Sequence, residues 1–146
     1  DTGVKTGFAI AIDSLDGRGG KLDDVSSFTI TQAMKRVLEC VEEQGKENVK
    51  LFIEDPRQRS WFGGMDAKQA KYGAGVREGV GSVKRDASIW EDWCKEEDLL
   101  FDMVHPAANA TKHKAPIFKK LTGWNKPTNE HGRDAAMIVS GRYAKF

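Results

Sequence analysis

The chain opens with residues 1–13, DTGVKTGFAIAID, and this segment decides the predicted topology. An apolar run at 8–12 is bounded by turn residues at both ends, a pattern that predicts a buried strand. Gly3 and Gly7 let the backbone bend sharply before this run. The segment therefore predicts strand, turn, strand, with Asp1 at the lip of the turn. We expect the natural chain to begin earlier, with an apolar strand that ends in Asp1.

The composition predicts one globular domain over residues 1–146, because 39% of the residues are hydrophobic and 31% are charged. No apolar run approaches the roughly 20 residues that a membrane-spanning helix needs, so we expect no membrane partner. Cys40 and Cys94 fall on apolar helix faces, which favours buried, reduced thiols over a disulfide. Together these features predict a cytoplasmic protein.

Charge is segregated along the chain, although the net charge is only +1. Residues 57–85 carry seven basic side chains against two acidic ones, and residues 112–126 carry five lysines and no acid. Acidic side chains concentrate instead in residues 91–102. Segregation of this kind can create a basic, DNA-binding face on a nearly neutral chain. The alternative interpretation is that these charges only solvate the outer faces of two helices.

Hydrophobic periodicity predicts a mixed α/β fold with the element order β-β-β-α-β-α-β-α-α, counting the strand expected before Asp1. Thr31 is the predicted N-cap of the first helix, and the apolar face of the second helix is predicted to run from Val76 to Cys94. This order favours a five-stranded mixed sheet with helices on both faces. The predicted strands are 8–12, 25–30, 49–53 and 99–104, and the predicted helices are 31–44, 68–97, 115–121 and 131–146.

Three acidic residues lie where predicted elements begin or end. Asp1 follows the expected first strand, Glu54 ends the strand at 49–53, and Asp134 lies in the first turn of the last helix. His131 precedes Asp134 by three residues, so both side chains lie on one helix face. Three converging carboxylates would repel one another unless a cation neutralised them. Oxygen ligands suit Mg²⁺, so the pattern predicts two Mg²⁺ ions, which would activate a water at a phosphodiester.

Several of these assignments have alternatives. Asp1 is a metal ligand or simply a turn-capping residue. Asp55 competes with Glu54 for the metal, and strand alternation favours Glu54. His131 is a metal ligand, a base or proton shuttle for the attacking water, or a residue bonded to the helix N-terminus.

In their order along the chain, these motifs resemble those of the RuvC-like Holliday-junction resolvases of the RNase H-like superfamily. Asp1-Thr2-Gly3 with Lys5-Thr6-Gly7 is similar to the family's first-strand Asp-x-Gly…Gly element. Leu51-Phe52-Ile53-Glu54 is similar to its second acidic strand, and His131-Gly132-Arg133-Asp134 to its last-helix motif. Asp-Thr-Gly in place of Asp-Pro-Gly, and the Asp55-Pro56-Arg57 sequence after Glu54, are closer to phage-type members. Such members often accept a broader range of branched DNA.

The resemblance implies a homodimeric endonuclease that makes paired nicks in four-way DNA junctions, acting in a bacterial cell. It implies a dimer contact on the helix after the second acid, for which the face from Val76 to Cys94 is suitable. Asp1, Glu54, His131 and Asp134 are the implied catalytic residues and ligands of two Mg²⁺ ions, which Mn²⁺ can replace. The expected DNA-binding residues are Arg57, Arg59, Trp61, Phe62, Lys68, Lys71, Lys112 and Lys114. Trp61 or Phe62 would serve as a wedge at the crossover.

The same motifs also allow other functions. A related RNase H-like nuclease could act on RNA or on an RNA–DNA hybrid. A catalytically silent module could bind branched DNA, although an unneutralised cluster of acids would be costly for it. Actin-like kinases share an Asp-x-Gly…Gly loop, but they need two such domains, and 146 residues cannot supply both.

Overall fold

The computed structural model describes residues 2–13, 20–58, 74–106 and 112–140, and within them the fold is α/β. Two short 3₁₀ turns, Lys46–Asn48 and Pro56–Gln58, flank the third strand. The strands are β1 (Thr6–Asp13), β2 (Gly20–Phe28), β3 (Lys50–Glu54) and β4 (Leu100–Val104). The α-helices are α1 (Ile30–Gln44), α2 (Ala74–Glu96), α3 (Ala115–Thr122) and α4 (Glu130–Val139).

β1 and β2 form an antiparallel pair in which Thr6 lies opposite Phe28 and Asp13 opposite Gly20. An irregularity between Ile10 and Ala11 shifts the register by one residue, as a β-bulge does. β2 begins earlier than predicted, because the residues before Val25 continue the pairing with β1 and do not form a turn.

Parallel pairing joins β3 and β4, with Lys50 opposite Leu100 and Glu54 opposite Val104. Parallel neighbours need a long crossover connection, and α2 lies within the crossover between these two strands. Pro56 and Pro106 lie two residues after the last residue of each strand, consistent with the predicted stops.

The described residues do not form the predicted five-stranded sheet. Among the described residues there are two separate two-stranded sheets, β1–β2 and β3–β4. β1 and β3 do not pair with each other, so each uses only one of its edges. The fifth strand was expected before Asp1, outside this sequence, and no described element takes its place between β1 and β3.

Helices cover both faces of the two sheets. On one face, α1 and α2 pack with β3 and with one side of the β1–β2 pair, through Val37, Ile53, Trp90 and partly buried Phe8. On the other face Ala136 of α4 and Phe118 of α3 pack with Val25 of β2. The two strand pairs thus share the helix layer of α1 and α2 on one side. The last helix, α4, packs on β1 and β2 and also contacts β3.

Helix ends follow local rules, with two corrections. The N-cap of α1 is Thr29 and not Thr31: its hydroxyl accepts a hydrogen bond from the Gln32 amide while the Gln32 side chain accepts one from the Thr29 amide. Gly45 and Gly123 end α1 and α3 as predicted, and both have positive φ. α4 ends at Val139, earlier than predicted, and residues 141–146 lie outside the described residues.

The apolar face predicted for α2 is only partly available for a partner. Ala87, Trp90 and Cys94 are buried inside this chain, where Trp90 and Cys94 pack with residues of α1 and β3. The half of this face near Cys94 therefore cannot serve as the expected dimer contact. Both cysteines are free thiols, Cys94 fully buried and Cys40 half-buried. Burial raises the pKa of Cys94 to about 12, as for a thiol in apolar surroundings. Within the described ranges no helix is both long and apolar enough to cross a bilayer.

Gly132 is where α4 meets the edge of the first sheet. A Cβ at this position would lie 2.9 Å from the Ser26 carbonyl oxygen and 3.2 Å from Cγ1 of Val25. We therefore expect Gly132→Ala to lower the free energy of unfolding by about 1–3 kcal/mol, the usual cost of overpacking. Thermal or denaturant unfolding measures this change.

The matched control is Gly81→Ala in α2, where an added Cβ would have nothing within 4 Å. This variant should gain up to about 1 kcal/mol, because alanine is the better helix former. Equal effects of the two substitutions would contradict the close approach of α4 to β2.

Candidate functional site

Two consecutive carboxylates at the end of β3 have different environments. Asp55 is buried, and the guanidinium of Arg57 binds it through two hydrogen bonds, Nε to Oδ1 at 2.7 Å and Nη2 to Oδ2 at 2.9 Å. The Arg57 amide also donates to Asp55 Oδ1 at 3.0 Å. Glu54 is only half-buried, and its carboxylate makes no hydrogen bond or ion pair with the other described residues. Among the described residues, Asp55 has a cation at its carboxylate and Glu54 has none.

Arg57 joins β3 to α2. Its Nη2 donates to Glu91 Oε2 at 2.6 Å, and its Nη1 donates to Ser88 Oγ at 3.0 Å. Lys95 adds a second ion pair to Glu91 at 3.0 Å. These contacts occupy both terminal nitrogens of a guanidinium that was predicted to bind DNA.

The carboxyl groups around Arg57 have lowered pKa values. Burial alone would raise the pKa of Asp55, but the hydrogen bonds and charge of Arg57 outweigh it, and the net shift is downward. The pKa of Glu91 is lowered by its hydrogen bond from Arg57 and, to a smaller extent, by the one from Lys95. Both acids are therefore stabilised in their charged forms, as members of an ion-pair network.

A second acidic position, Asp134, lies in the first half of α4. The helix begins after Asn129, whose side chain accepts a hydrogen bond from the Gly132 amide at 2.8 Å. Asp134 is buried, yet Nζ of Lys112 lies 3.1 Å from its Oδ2 and 2.7 Å from Oε1 of Glu130. The pKa of Lys112 is raised, first by its hydrogen bond to Glu130 and then by Asp134. A cation is thus already placed at the carboxylate predicted to bind metal.

Arg133 positions the segment that brings Lys112 to the carboxylate of Asp134. Its Nε donates to the carbonyl of His113 at 2.8 Å, and its Nη1 donates to the carbonyl of Thr128 at 3.1 Å. These bonds fasten the segment before α3 to the start of α4. Sequence reasoning missed this role of Arg133 and the contribution of Glu130, because both depend on contacts between distant segments.

The structure brings the elements of Glu54 and Asp134 together, since α4 touches β3. His131 lies in the first turn of α4, whereas Asp134, predicted for that turn, begins the second. His131 is half-buried and is engaged in interactions of its own. In the part of the chain that is described, no three His, Cys, Asp or Glu side chains are close enough to hold one metal ion. Asp1, the fourth predicted ligand, lies outside the described residues.

The predicted DNA-binding residues divide into three groups. Lys112 and Lys114 are exposed at the start of α3, in a lysine-rich segment whose other lysines are also exposed. Arg57 is held in the network with Asp55 and Glu91. The remaining predicted contacts lie outside the described residues, and they are Arg59, Trp61, Phe62, Lys68 and Lys71.

Comparison of the chain with protein-family models, with curated proteins and with solved structures gave no match. The functional interpretation therefore depends on the residues and geometry of this chain.

Proposed function

We propose that this chain is a metal-dependent endonuclease that resolves four-way DNA junctions, with an RNase H-like arrangement of its acids. The observation that carries the proposal is the difference between the environments of Glu54 and Asp55. Arg57 neutralises Asp55 inside the protein, whereas Glu54 at the end of β3 keeps an uncompensated carboxylate among the described residues. An open acid at the end of a strand that α4 contacts, together with a second acid, Asp134, on α4, supports metal-dependent catalysis over a purely structural role.

The donor set fits Mg²⁺ or Mn²⁺. Carboxylate oxygens are the ligands that these hard cations prefer, and imidazole is tolerated by Mn²⁺. Asp1, Glu54, His131 and Asp134 would hold the two ions, which when bound would supply a nucleophilic water and stabilise the leaving oxygen. Asp134 pairs with Lys112 in this structure, and a bound metal would replace that cation at the carboxylate.

Substrate binding is proposed for the lysine-rich start of α3. Lys112 and Lys114 are exposed, and lysines on one surface attract the phosphate backbone without reading the base sequence. Lys112 would bind phosphate once a metal neutralises Asp134. Trp61 or Phe62 would stack on an opened base step, and a homodimer would present two such sites to the two strands that are cut.

A silent branched-DNA-binding module is the second candidate, and one observation favours it. Lys112 already satisfies part of the charge of Asp134 without a metal. A protein that only binds DNA would need no further cation at that carboxylate.

A cleavage assay separates the two candidates. A four-way junction with each strand labelled in turn is incubated with the protein in Mg²⁺, in Mn²⁺ and in EDTA, next to a linear duplex and an RNA–DNA hybrid of the same sequence. We expect paired nicks near the crossover in either metal, and intact strands in EDTA. Junction binding without cleavage in both metals would support the silent module. Preferred cleavage of the hybrid would reassign the substrate to RNA.

A further inference from the structure

The short helix α3 exposes two large aliphatic side chains. Ile117 is 52% exposed and Leu121 is 58% exposed, and side chains four residues apart are neighbours on a helix surface. The other large apolar side chains exposed in the described ranges each lie on a different segment of the chain, and they are Val4, Ile12, Leu38, Ile89 and Leu100. Scattered apolar residues are ordinary on a surface, whereas adjacent ones indicate a contact. We call Ile117 and Leu121 the apolar pair.

The apolar pair is held in a fixed position. Phe118, which follows Ile117 in the sequence, is 1% exposed and packs with Val25 in the core. Gly123 ends the helix with a φ of 74°, and the Trp124 amide donates a hydrogen bond to Thr122 Oγ1 at 3.2 Å. The helix therefore cannot turn to bury the apolar pair without removing Phe118 from the core.

Lysines surround the apolar pair. Lys114 precedes Ile117 by three residues and Lys120 follows it by three, so both are neighbours of Ile117 on the helix surface. Both lysines are exposed, as are Lys119 and Lys126. Within the described ranges no acidic side chain pairs with Lys114, Lys119 or Lys120. This surface thus combines an apolar centre with positive charge on two sides.

The position of Lys114 is not explained by the stability of α3. Lys114 is the N-cap residue, and its side chain makes no capping hydrogen bond. The amino end of a helix carries a partial positive charge, so a cation there is unfavourable for the helix. Lys119 and Lys120 lie in the last turn, where a cation is favourable. Lys114 is therefore better explained by an anion outside the chain.

The spacing of the lysines is compatible with a nucleic acid strand. Lys114 and Lys120 are six residues apart, a rise of about 9 Å along a helix, which equals the axial length of two to three phosphates of one DNA strand at about 3.4 Å each. Ile117 lies five residues after Lys112, so their Cα atoms are at most about 18 Å apart. The apolar pair is thus continuous with the lysine-rich start of α3 proposed above to bind substrate.

A second copy of this chain is the other partner with complementary charge, through its acidic residues 91–102. Part of that charge is already neutralised within the chain. Glu91 pairs with Arg57 and with Lys95. Asp102 pairs with Lys50. DNA phosphates have no such internal partners, so the charge on α3 favours DNA.

We propose that the apolar pair of α3 enters an opened base step of branched DNA, while Lys114 and Lys120 bind the phosphates on either side of that step. Leucine and isoleucine are among the side chains that proteins insert between bases. Unstacking costs least where a duplex is already interrupted, so the contact favours a junction over a linear duplex. The proposal rests on the proposed function for its ligand, branched DNA, and does not require that the DNA be cut.

Paired substitutions test the contact in Ca²⁺, so that binding is measured apart from cleavage. Ile117→Gln with Leu121→Gln removes the apolar pair and keeps residues that form helices well. The matched control, Leu38→Gln with Ile89→Gln, makes equivalent changes at positions that are 40% and 42% exposed on α1 and α2. Fluorescence anisotropy gives the Kd for a four-way junction and for a linear duplex, and 2-aminopurine beside the crossover reports unstacking.

The α3 glutamine variant should bind the junction at least about tenfold more weakly than the parent and lose most of the 2-aminopurine signal, because the cost of unstacking is no longer offset. Its affinity for the duplex should stay within about twofold of the parent, since the phosphate contacts remain. Ile117→Met with Leu121→Met should keep junction binding, because methionine is also inserted between bases. Retention by the methionine variant separates the contact from an effect on folding.

The results that would overturn the proposal are distinct from those that bear on the nuclease. If the α3 glutamine variant binds the junction as the control variant does, the wedge is excluded, even when the parent cleaves the junction. Equal losses for junction and duplex also exclude it, because a wedge acts only at an opened step. A parent that binds no junction overturns both proposals. If the expected losses occur but the parent does not cleave in Mg²⁺ or Mn²⁺, the wedge is supported and the nuclease is not.

The phosphate contact has its own test. Lys120→Gln should lower the slope of log affinity against log salt concentration by about 0.9, the value for one phosphate contact. Lys35→Gln, which removes an exposed lysine of α1, should leave the slope unchanged. Equal slopes for the two variants would contradict a phosphate contact at Lys120.

Sedimentation velocity without DNA tests the second copy. The parent and the α3 glutamine variant should sediment alike at every protein concentration, because the apolar pair contacts DNA. Self-association of the parent that the glutamine variant abolishes would assign the apolar pair to a second copy and overturn the proposal.

Discussion

Replacing Arg57 by alanine is expected to lower the free energy of unfolding by about 3 kcal/mol. Asp55 is buried and receives two guanidinium hydrogen bonds, so the substitution leaves a buried carboxylate without its cation. Breaking a buried ion pair in this way costs about 3–5 kcal/mol, and the lower end applies because Arg57 is itself 30% exposed. Denaturant unfolding at pH 7 measures the change.

The control for this prediction is Arg36→Ala, which removes an exposed pair with Glu39 at 3.6 Å on α1. Its effect should stay below about 0.5 kcal/mol. If Arg57 serves mainly to bind DNA, Arg57→Ala would instead weaken junction binding and leave stability close to that of the Arg36 variant.

The same ion-pair network has a defined pH dependence. The pKa values of Asp55 and Glu91 are lower in the folded protein than in the unfolded chain. Their contribution to stability is therefore fully present above the unfolded values, near pH 4, and is lost as the pH falls through the folded values. The stability difference between the parent and Arg57→Ala should be largest near neutral pH and should shrink below about pH 4.

Local patterns in the sequence predicted most of the described elements. The apolar run at 8–12 and the amphipathic helix at 31–44 lie within observed elements, and the strand predicted at 49–53 is observed at Lys50–Glu54, because period-2 and period-3.6 patterns report burial directly. The cap of α1 was misplaced by two residues, because Thr29 and Thr31 are equally plausible N-caps until the partner Gln32 is considered.

The contacts that define the candidate site were harder to predict. Arg57 looked like an exposed base in a basic segment, but its partner Glu91 lies 34 residues away on α2. Lys112 was predicted to contact phosphate, and its contact with Asp134 depends on how Arg133 fastens two segments together. Side-chain pairing over such distances leaves no periodic signal. The division into two strand pairs was also not predicted. Hydrophobic periodicity identifies single strands, but it does not show which strands pair with each other.

Loss of cleavage is the expected result for Glu54→Gln and for Asp134→Asn. Each substitution removes one negative charge while keeping the size of the side chain. Because even outer-shell partners of a metal contribute about 10–100-fold, loss of a direct ligand should lower junction cleavage by more than about 100-fold. Junction binding, measured in Ca²⁺ by gel shift, should change little, since the proposed phosphate contacts are exposed lysines and not these acids.

A matched acid separates chemistry from general charge effects. Asp102 lies on β4 of the same strand pair, is 55% exposed and pairs with Lys50 at 2.9 Å. Asp102→Asn removes the same charge from the same sheet, and we expect its cleavage rate to stay within about twofold of the parent, as for a surface change away from the site. If Glu54→Gln cleaves as fast as Asp102→Asn, Glu54 is not a ligand, and the distinction between Glu54 and Asp55 has no catalytic meaning. If only Asp55→Asn abolishes cleavage at a temperature where it stays folded, the metal site must include Asp55, and Arg57 must release it when metal binds.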